Sequence, residues 1–297
     1  MSGSLEDELG DVLEKSRDGK GWTQSDLAQA SGMSVSDISR MERYEFVPDD
    51  SVLKKLAEVL DLHVPSLIAV AKGTWAPKAI EPDPGPFEII CLDLFVGTYP
   101  VKCYLLICKA TKTSAVIDTG GNPEAIIKKA KELNIKPEKI LLTHAHFDHI
   151  GGIADLVKSL PEMPPVYLHP DDYDLWKDGG GGARFGIQID PGPEPIPLEH
   201  GQMLRVGKFS FEARHTPGHR PGHSVFFCAE AGVLFSGDLI FYRSVGRTDL
   251  PGGNWATLEK SIHEQIYTLP AETQIFSGHG DATSVGDEKV NNHFVKA

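Results

Sequence analysis

The chain has 297 residues, 40% of them hydrophobic, and carries 29 Lys/Arg against 42 Asp/Glu for a formal net charge of −13. That length suits one large domain or two, with apolar content enough for a sizeable core. The acidic start, Met1 to Leu9, has no apolar stretch, and the apolar runs near Ile89 and Leu105 fall far short of the ~20 residues of a membrane span, so neither a secretory signal nor a membrane helix is expected.

Helical signals dominate before residue 72. Thr23 to Gly32 reads as a capped helix ended by glycine, and Ser34 to Arg43 as a second helix with its own serine cap. Two short helices around a Gly turn make a helix-turn-helix, with flanking helices expected at Leu5 to Ser16, Ser51 to Leu60 and Pro65 to Ala71. Residues 5–70 resemble the Cro/repressor type of DNA-binding domain. That resemblance implies that Ser34, Ser36, Asp37 and Arg40 face base edges and that Gln24 and Arg43 touch phosphates, while Val35, Ile38 and Met41 face the small core. Charge argues for weak or dimer-dependent DNA binding, because Met1 to Trp75 hold eight Lys/Arg against fourteen Asp/Glu. A bundle of this kind also serves subunit pairing or protein contact, and a homodimer is compatible with it.

Residues 72–86 contain four prolines and two glycines and read as an extended, exposed linker. Strand and turn signals dominate from residue 87 to 297. Lys139 to Thr143 reads as a short buried strand and Ile150 to Leu160 as a helix, so the run His144-Ala-His-Phe-Asp-His-Ile-Gly-Gly152 sits at a strand-to-helix turn. Side chains two apart on extended chain face the same way, which lets His144 and His146 converge on one ion, while Asp148 and His149 face a second. The stretches Thr216-Pro-Gly-His219, Phe235-Ser-Gly-Asp238 and Phe276-Ser-Gly-His279 each end a strand at a Gly turn bearing one metal-capable side chain. Cys91, Cys103, Cys108 and Cys228 form no Cys-x-x-Cys pair and read as free thiols, which fits a reducing cytoplasm.

These motifs resemble the metallo-β-lactamase superfamily of hydrolases over residues 87–297, and Thr216 to His223 with Ser244 to Gly253 look most like the small relatives of glyoxalase II. The resemblance implies an αβ/βα sandwich of class α/β behind a small all-α domain. It implies one metal held by His144, His146 and His219, a second by Asp148, His149 and His279, and Asp238 bridging them, with His219 rather than His223 as the ligand. Two zinc ions would lower the pKa of a water to about 7, so no serine or cysteine nucleophile is needed; the nitrogen and oxygen ligands also suit iron or manganese. Asp148 and Asp238 are the catalytic carboxylates, the first as possible proton acceptor.

Around the ligands, Asp118 is placed to orient a histidine, and Arg247 with Asp249 to brace the loop after Asp238. Tyr242 and Arg243 follow the Asp238 strand as candidate substrate contacts. Asp178 to Gly186, with four consecutive glycines, is expected as a mobile cover or connector. The favoured substrate is a thioester, with a lactone as the nearest alternative, a mono-iron persulfide dioxygenase as a further rival, and a DNA-binding regulator sensing a small effector as the other class. The short chain after His279 has no counterpart of the helical domain that holds glutathione in larger glyoxalase II enzymes, which weakens a glutathione thioester.

Overall fold

The computed structural model describes residues 7–74 and 87–297, so most of the expected linker lies outside the described residues. The helical punctuation yields five helices: α1 (Leu9–Gly19), α2 (Gln24–Ser31), α3 (Val35–Glu42), α4 (Asp50–Leu60) and α5 (Val64–Ala71). A reciprocal capping box between Glu8 and Asp11 starts α1 at Leu9, later than the Leu5 expected. Thr23 caps α2 and Gly32, at φ +69°, ends it, leaving Ser34 to cap α3. Ile38 and Met41 are buried as expected, but Val35 is 46% exposed. As the first residue of α3 it overhangs the end of the core, so helical spacing alone misplaces it.

The second region opens with β1 (Phe87–Val96), β2 (Tyr99–Cys108) and β3 (Thr113–Ile117), each antiparallel to the last. Helix α6 (Pro123–Glu132) crosses to β4 (Lys136–Leu141), which lies parallel to β3. After α7 (Phe147–Ile150) and α8 (Ile153–Ser159) come β5 (Val166–Leu168), α9 (Tyr173–Lys177) and β6 (Ile196–Pro197). These strands form one sheet in sequential order. A second sheet is built from β7 (Met203–Val206), β8 (Phe209–His215), β9 (Ser224–Cys228) and β10 (Val233–Gly237), interrupted by the small hairpin β11 (Ile240–Phe241) and β12 (Ser244–Val245) and by α10 (Trp255–Ser261). It is completed by β13 (Gln274–Ser277) and β14 (Thr283–Ser284) in the order β14-β13-β10-β9-β8-β7, with α11 (Val285–Asn291) following.

Alternation along the strands sorts the layers. Leu106, Ala115 and Ile117 of the first sheet meet Phe211, Phe226 and Phe235 of the second in one apolar core. Leu105, Val116 and Ile140 point the other way, onto Ile126 of α6 and Ile153 and Leu156 of α8. Val225, Leu234 and Ile275 cover the far face of the second sheet against Leu258 of α10 and Val285 of α11. The result is the αβ/βα layering that the sequence implied. Its strands all deliver their ends to one edge, where Gly turns carry the polar groups.

The five-helix region is not a separate bead. Its core residues Leu13, Leu27, Ile38, Leu56 and Leu67 form one continuous cluster with Leu258, Ile262 and Phe294. Across the seam His63 N donates to His293 O (2.9 Å) and Ser66 Oγ to Asn291 O (2.6 Å). Lys15 Nζ, paired with Asp7 (2.8 Å), reaches Ser244 Oγ (2.9 Å) and Val245 O (3.0 Å) beside the hairpin. A Cβ on Gly19 would stand 2.7 Å from the Trp255 ring, so only glycine lets α1 lie this close to α10. Among the described residues no helix is long and apolar enough to cross a membrane, and the four cysteines are free thiols.

Candidate metal centre

Strand β4 runs out at Leu141, and Thr143 to His149 then turn across the open edge of the sandwich. His144 Nε2, His146 Nδ1 and His219 Nε2 stand 3.0, 3.3 and 2.9 Å apart pairwise. Ligands ~2.1 Å from a tetrahedral ion lie about 3.4 Å from one another, so this triangle is the base of such a site. The other ring nitrogens of His219 and His144 are occupied in the way that aims these atoms inward. His219 Nδ1 donates to the Arg247 carbonyl (2.8 Å), and His144 Nδ1 meets Thr143 Oγ1 (3.1 Å). Burial holds His144 and His146 well below the ordinary imidazole pKa and lowers His219, keeping all three neutral with lone pairs free for a cation.

A second set adjoins the first. His279 Nε2 lies 3.5 Å from Asp148 Oδ2, and His149 Nε2 lies 3.8 Å from the same oxygen. Asp238 stands between the sets: Oδ1 is 3.2 Å from His149 Nε2, while Oδ2 is 3.4 Å from His279 Nε2 and 3.6 Å from His219 Nε2. Burial alone would raise Asp238, but His279 and His149 outweigh it and keep the carboxylate ionised. Burial opposes a charge on His279, yet Asp238 and Asp148 lift it to about 10. The centre is therefore built to attract positive charge.

The residues fit a metal pair. His149 Nε2 and Asp238 Oδ1 are buried without any hydrogen-bond partner, and leaving such atoms unsatisfied is costly unless a cation completes them. A Cβ on Gly278 would stand 2.3 Å from Asp238 Oδ1, so the turn after β13 leaves room that any other residue would fill.

Behind the ligands the expected Asp118 sits at φ +50° after β3, its Oδ2 2.8 Å from His149 Nδ1 and also accepting from Thr143 Oγ1 (2.8 Å). His223 has a different position from a ligand: its Nδ1 meets Thr216 Oγ1 (2.9 Å) and its Nε2 accepts from Asp238 N (3.1 Å), so it sets the Asp238 backbone. Arg247 contributes its carbonyl to His219, and its guanidinium forms a two-point pair with Asp249 (both 2.7 Å). Asp172 was not legible as a site residue. Buried after the short turn that precedes α9, it accepts from Ala145 N (2.9 Å), Gly222 N (3.1 Å) and Arg220 Nε (3.3 Å), tying the two histidine-bearing loops together. An isolated aspartate more than twenty residues from either loop gives no local signal.

Two expectations fail here. Tyr242 and Arg243 are buried rather than turned to the cavity: the β11/β12 hairpin, with Arg243 at φ +62°, sends its guanidinium to Asp287 (2.6 Å) and over the Tyr242 ring. Phe241 lines the cavity in their place. Nor is the glycine run a loose flap, since Gly179 to Gly182 are buried, Gly180 and Gly181 form a kink at φ +71° and +73°, and a Cβ on Gly180 would stand 2.3 Å from Phe147 N. Gly180 and Gly182 are the glycines that allow close packing against Phe147 of α7.

The cavity over the centre measures about 540 Å³. One wall is aromatic, with Tyr99, Phe147 and Phe185 packed ring on ring at 5.1 to 5.6 Å. A separate group of His169, Asp171 and His215 is less apt for an ion, because the two rings stack 3.9 Å apart at 4° and aim their in-plane lone pairs along parallel lines.

In the five-helix region Ser34, Ser36, Arg40 and Arg43 are exposed. Ser34 and Asp37 cap α3, Arg40 leans over Phe46 and lies 3.7 Å from Asp37, and Arg43 pairs with Glu45. Gln24 instead donates to Glu42 (2.8 Å), inside the domain.

Comparison with known proteins adds to this geometry. The model of the metallo-beta-lactamase superfamily matches residues 96–279, and that of the helix-turn-helix family residues 13–67. The hydroxyacylglutathione hydrolase GloC of Haemophilus influenzae is 35% identical over 65% of this chain and 92% of its own length. Among solved structures, BLEG-1, described as a B3 metallo-beta-lactamase, is 36% identical with a TM-score of 0.64, covering 71% of this chain and all of its own. TTHA1623, solved in a di-iron-bound form, is 39% identical with a TM-score of 0.60, over 68% of this chain and 98% of its own.

Proposed function

This chain belongs to the metallo-beta-lactamase superfamily of hydrolases, joined to a helix-turn-helix domain, and on that premise we propose that it hydrolyses thioesters with a pair of divalent metal ions. The observation that carries the reading is the placement of Asp238 between two donor sets, each of three side chains. In this reading His144, His146 and His219 hold one ion, Asp148, His149 and His279 the other, and Asp238 both. Zinc is the favoured metal, with iron or manganese compatible with the same donors. When bound, the metals supply a water of lowered pKa and polarise the substrate carbonyl.

The chain's own groups do the rest. Asp118 holds His149 in the tautomer that presents Nε2, and the Arg247 carbonyl does the same for His219. The attacking water loses its proton, and Asp148, which lines the cavity with 14% of its side chain exposed, is the carboxylate assigned to accept it. Water adds to the carbonyl carbon, the carbon–sulfur bond breaks, and a carboxylic acid and a thiol leave. Support for a thioester comes from the similarity to GloC, whose name states a hydroxyacylglutathione substrate. The test is turnover of purified, metal-loaded protein on thioester, lactone and persulfide panels. Thioester cleavage without oxygen uptake supports the reading; oxygen uptake with a persulfide, or lactone cleavage alone, overturns it.

The exposed Ser34, Ser36 and Arg40 at the start and outer face of α3 favour a second role in DNA binding by this region, weakened by its acidic balance. A low-salt gel shift with random and upstream DNA tests it, and no shift at micromolar protein removes it.

A further inference from the structure

The cavity over the metal centre is not closed by the sandwich alone. Asp7, Asp11, Glu14 and Asp18, from α1 and its approach, line it together with His146, Asp238 and His279. Helix α1 thus forms a wall of the catalytic pocket opposite chemistry supplied from more than 125 residues away in sequence. The relatives at 36% and 39% identity are covered over 100% and 98% of their lengths by about two thirds of this chain, so they have little chain left to build such a wall. Whatever this wall recognises is particular to the joined protein.

Its charge is legible from the partners. Of the cations that line the cavity, Lys15 is held by Asp7 and by Ser244 and Val245, Arg220 by Asp172 and Arg247 by Asp249, while Arg184 lies beside Phe185 of the aromatic group rather than on α1. Arg17 is turned to Glu42 (2.8 Å) and Asp18 (2.5 Å), inside the helical region. Asp11 accepts the Tyr44 hydroxyl (2.6 Å) and carries no cationic partner among the described ion pairs. Glu14, 55% exposed, has Arg17 only at 3.8 Å. Burial and then the neighbouring Glu42 and Asp18 carboxylates raise the Glu14 pKa, as expected on a face with surplus negative charge. The same cavity is lined by the aromatic group of Tyr99, Phe147 and Phe185. Asp238, whose buried Oδ1 has no hydrogen-bond partner, lines it as well and marks the reacting centre.

We propose that the pocket orients a thioester with its acyl group on the aromatic wall and its thiol leaving group against Asp11 and Glu14 of α1, selecting cationic or neutral thiols and rejecting anionic ones such as glutathione. The assignment rests on the hydrolase reading for its chemistry, but the charge preference belongs to the cavity itself. An anionic leaving group brought within a few ångströms of an unpaired carboxylate is disfavoured by about fivefold for each such carboxylate even at solvent-like screening.

The probe is a set of thiols of similar size: cysteamine (cationic), 2-mercaptoethanol (neutral) and 3-mercaptopropionate (anionic). Their binding to the cobalt-loaded full-length protein is read from the thiolate-to-cobalt absorption band, and the corresponding S-benzoyl thioesters are compared by kcat/KM. The expected order in both readouts is cationic above neutral above anionic, with at least a tenfold span. Glu14→Lys, at an exposed position, should shrink or invert that span. Equal binding of the three thiols, a preference for the anion, or an order untouched by Glu14→Lys overturns the proposal. If the thiol order holds while none of the thioesters turns over, the charge wall stands and the thioester reaction falls.

Discussion

The candidate metal centre and helix α3 place their polar groups in opposite ways. His144 and His149 are wholly buried, and His144, His149 and His219 are each aimed by a second contact on the other ring nitrogen, whereas Arg40 of α3 leaves 45% of its side chain in solvent with one distant ion pair. A chelating site must be assembled before its ion arrives, because the attraction between donor and cation falls off sharply with misplacement. A surface that meets DNA gains most of its affinity from mobile charges and can be arranged on contact. Substitutions in the first region should therefore cost far more than those in the second.

The largest effect is expected for Asp238→Ala. Losing the group between the two donor sets should cut turnover by about a thousandfold or more and reduce the metal content of the purified protein. Turnover and metal content equal to wild type would show that Asp238 links nothing. Asp118→Asn should be milder, about 10- to 100-fold in activity or metal affinity, because it disturbs the acceptor that orients His149 and receives Thr143 but leaves the ligands themselves in place. If Asp118→Asn matches Asp238→Ala, orientation matters as much as ligation and the contrast between the two regions becomes sharper still.

The seam tests whether the regions form one cooperative body. Burial pushes the Glu288 carboxyl up to about 7, against the help of Thr283 and Asn292, and the same helix end receives Ser66 of α5. Because the folded state favours the protonated acid, its stabilising contribution is present below the ordinary pKa near 4.5 and is lost as pH rises through about 7. Glu288→Gln removes that titration, so its stability relative to wild type should grow between pH 5 and pH 8 by about 2 kcal/mol. Thermal melts across that range check it; a difference that stays constant with pH would show that Glu288 does not titrate in the fold. The smallest effect belongs to the outer face: Arg40→Ala should weaken any low-salt DNA shift about fivefold without moving the melting temperature. A lowered melting temperature would make Arg40 a structural residue of α3.

Much of the centre was legible because each donor ends a strand or opens a helix beside a Gly turn, a signal carried within four residues. Thr216 to His223 was harder, since two histidines follow a Pro-Gly step, and only their partners tell them apart: Arg247 O for His219 and the Asp238 amide for His223. Direction was not legible. Tyr242 and Arg243 follow the Asp238 strand closely, but a two-residue turn at positive φ points them inward. Nor could periodicity show that α1 closes the cavity, because the contact joins Lys15 to Ser244 across 229 residues and depends on how two separately readable units dock. The glycine run misled for a related reason: glycine reads as freedom in a sequence, but at Gly180 it permits close backbone packing.

The central claim, that seven side chains from four separate stretches share two neighbouring cations, is tested most directly by anomalous diffraction from crystals of the metal-loaded protein. The account predicts two peaks, one ~2.1 Å from His144 Nε2, His146 Nδ1 and His219 Nε2 and the other among Asp148, His149 and His279, with Asp238 reaching both. A peak bound through His223 in place of His219, or a single peak with Asp238 turned away from it, would contradict it.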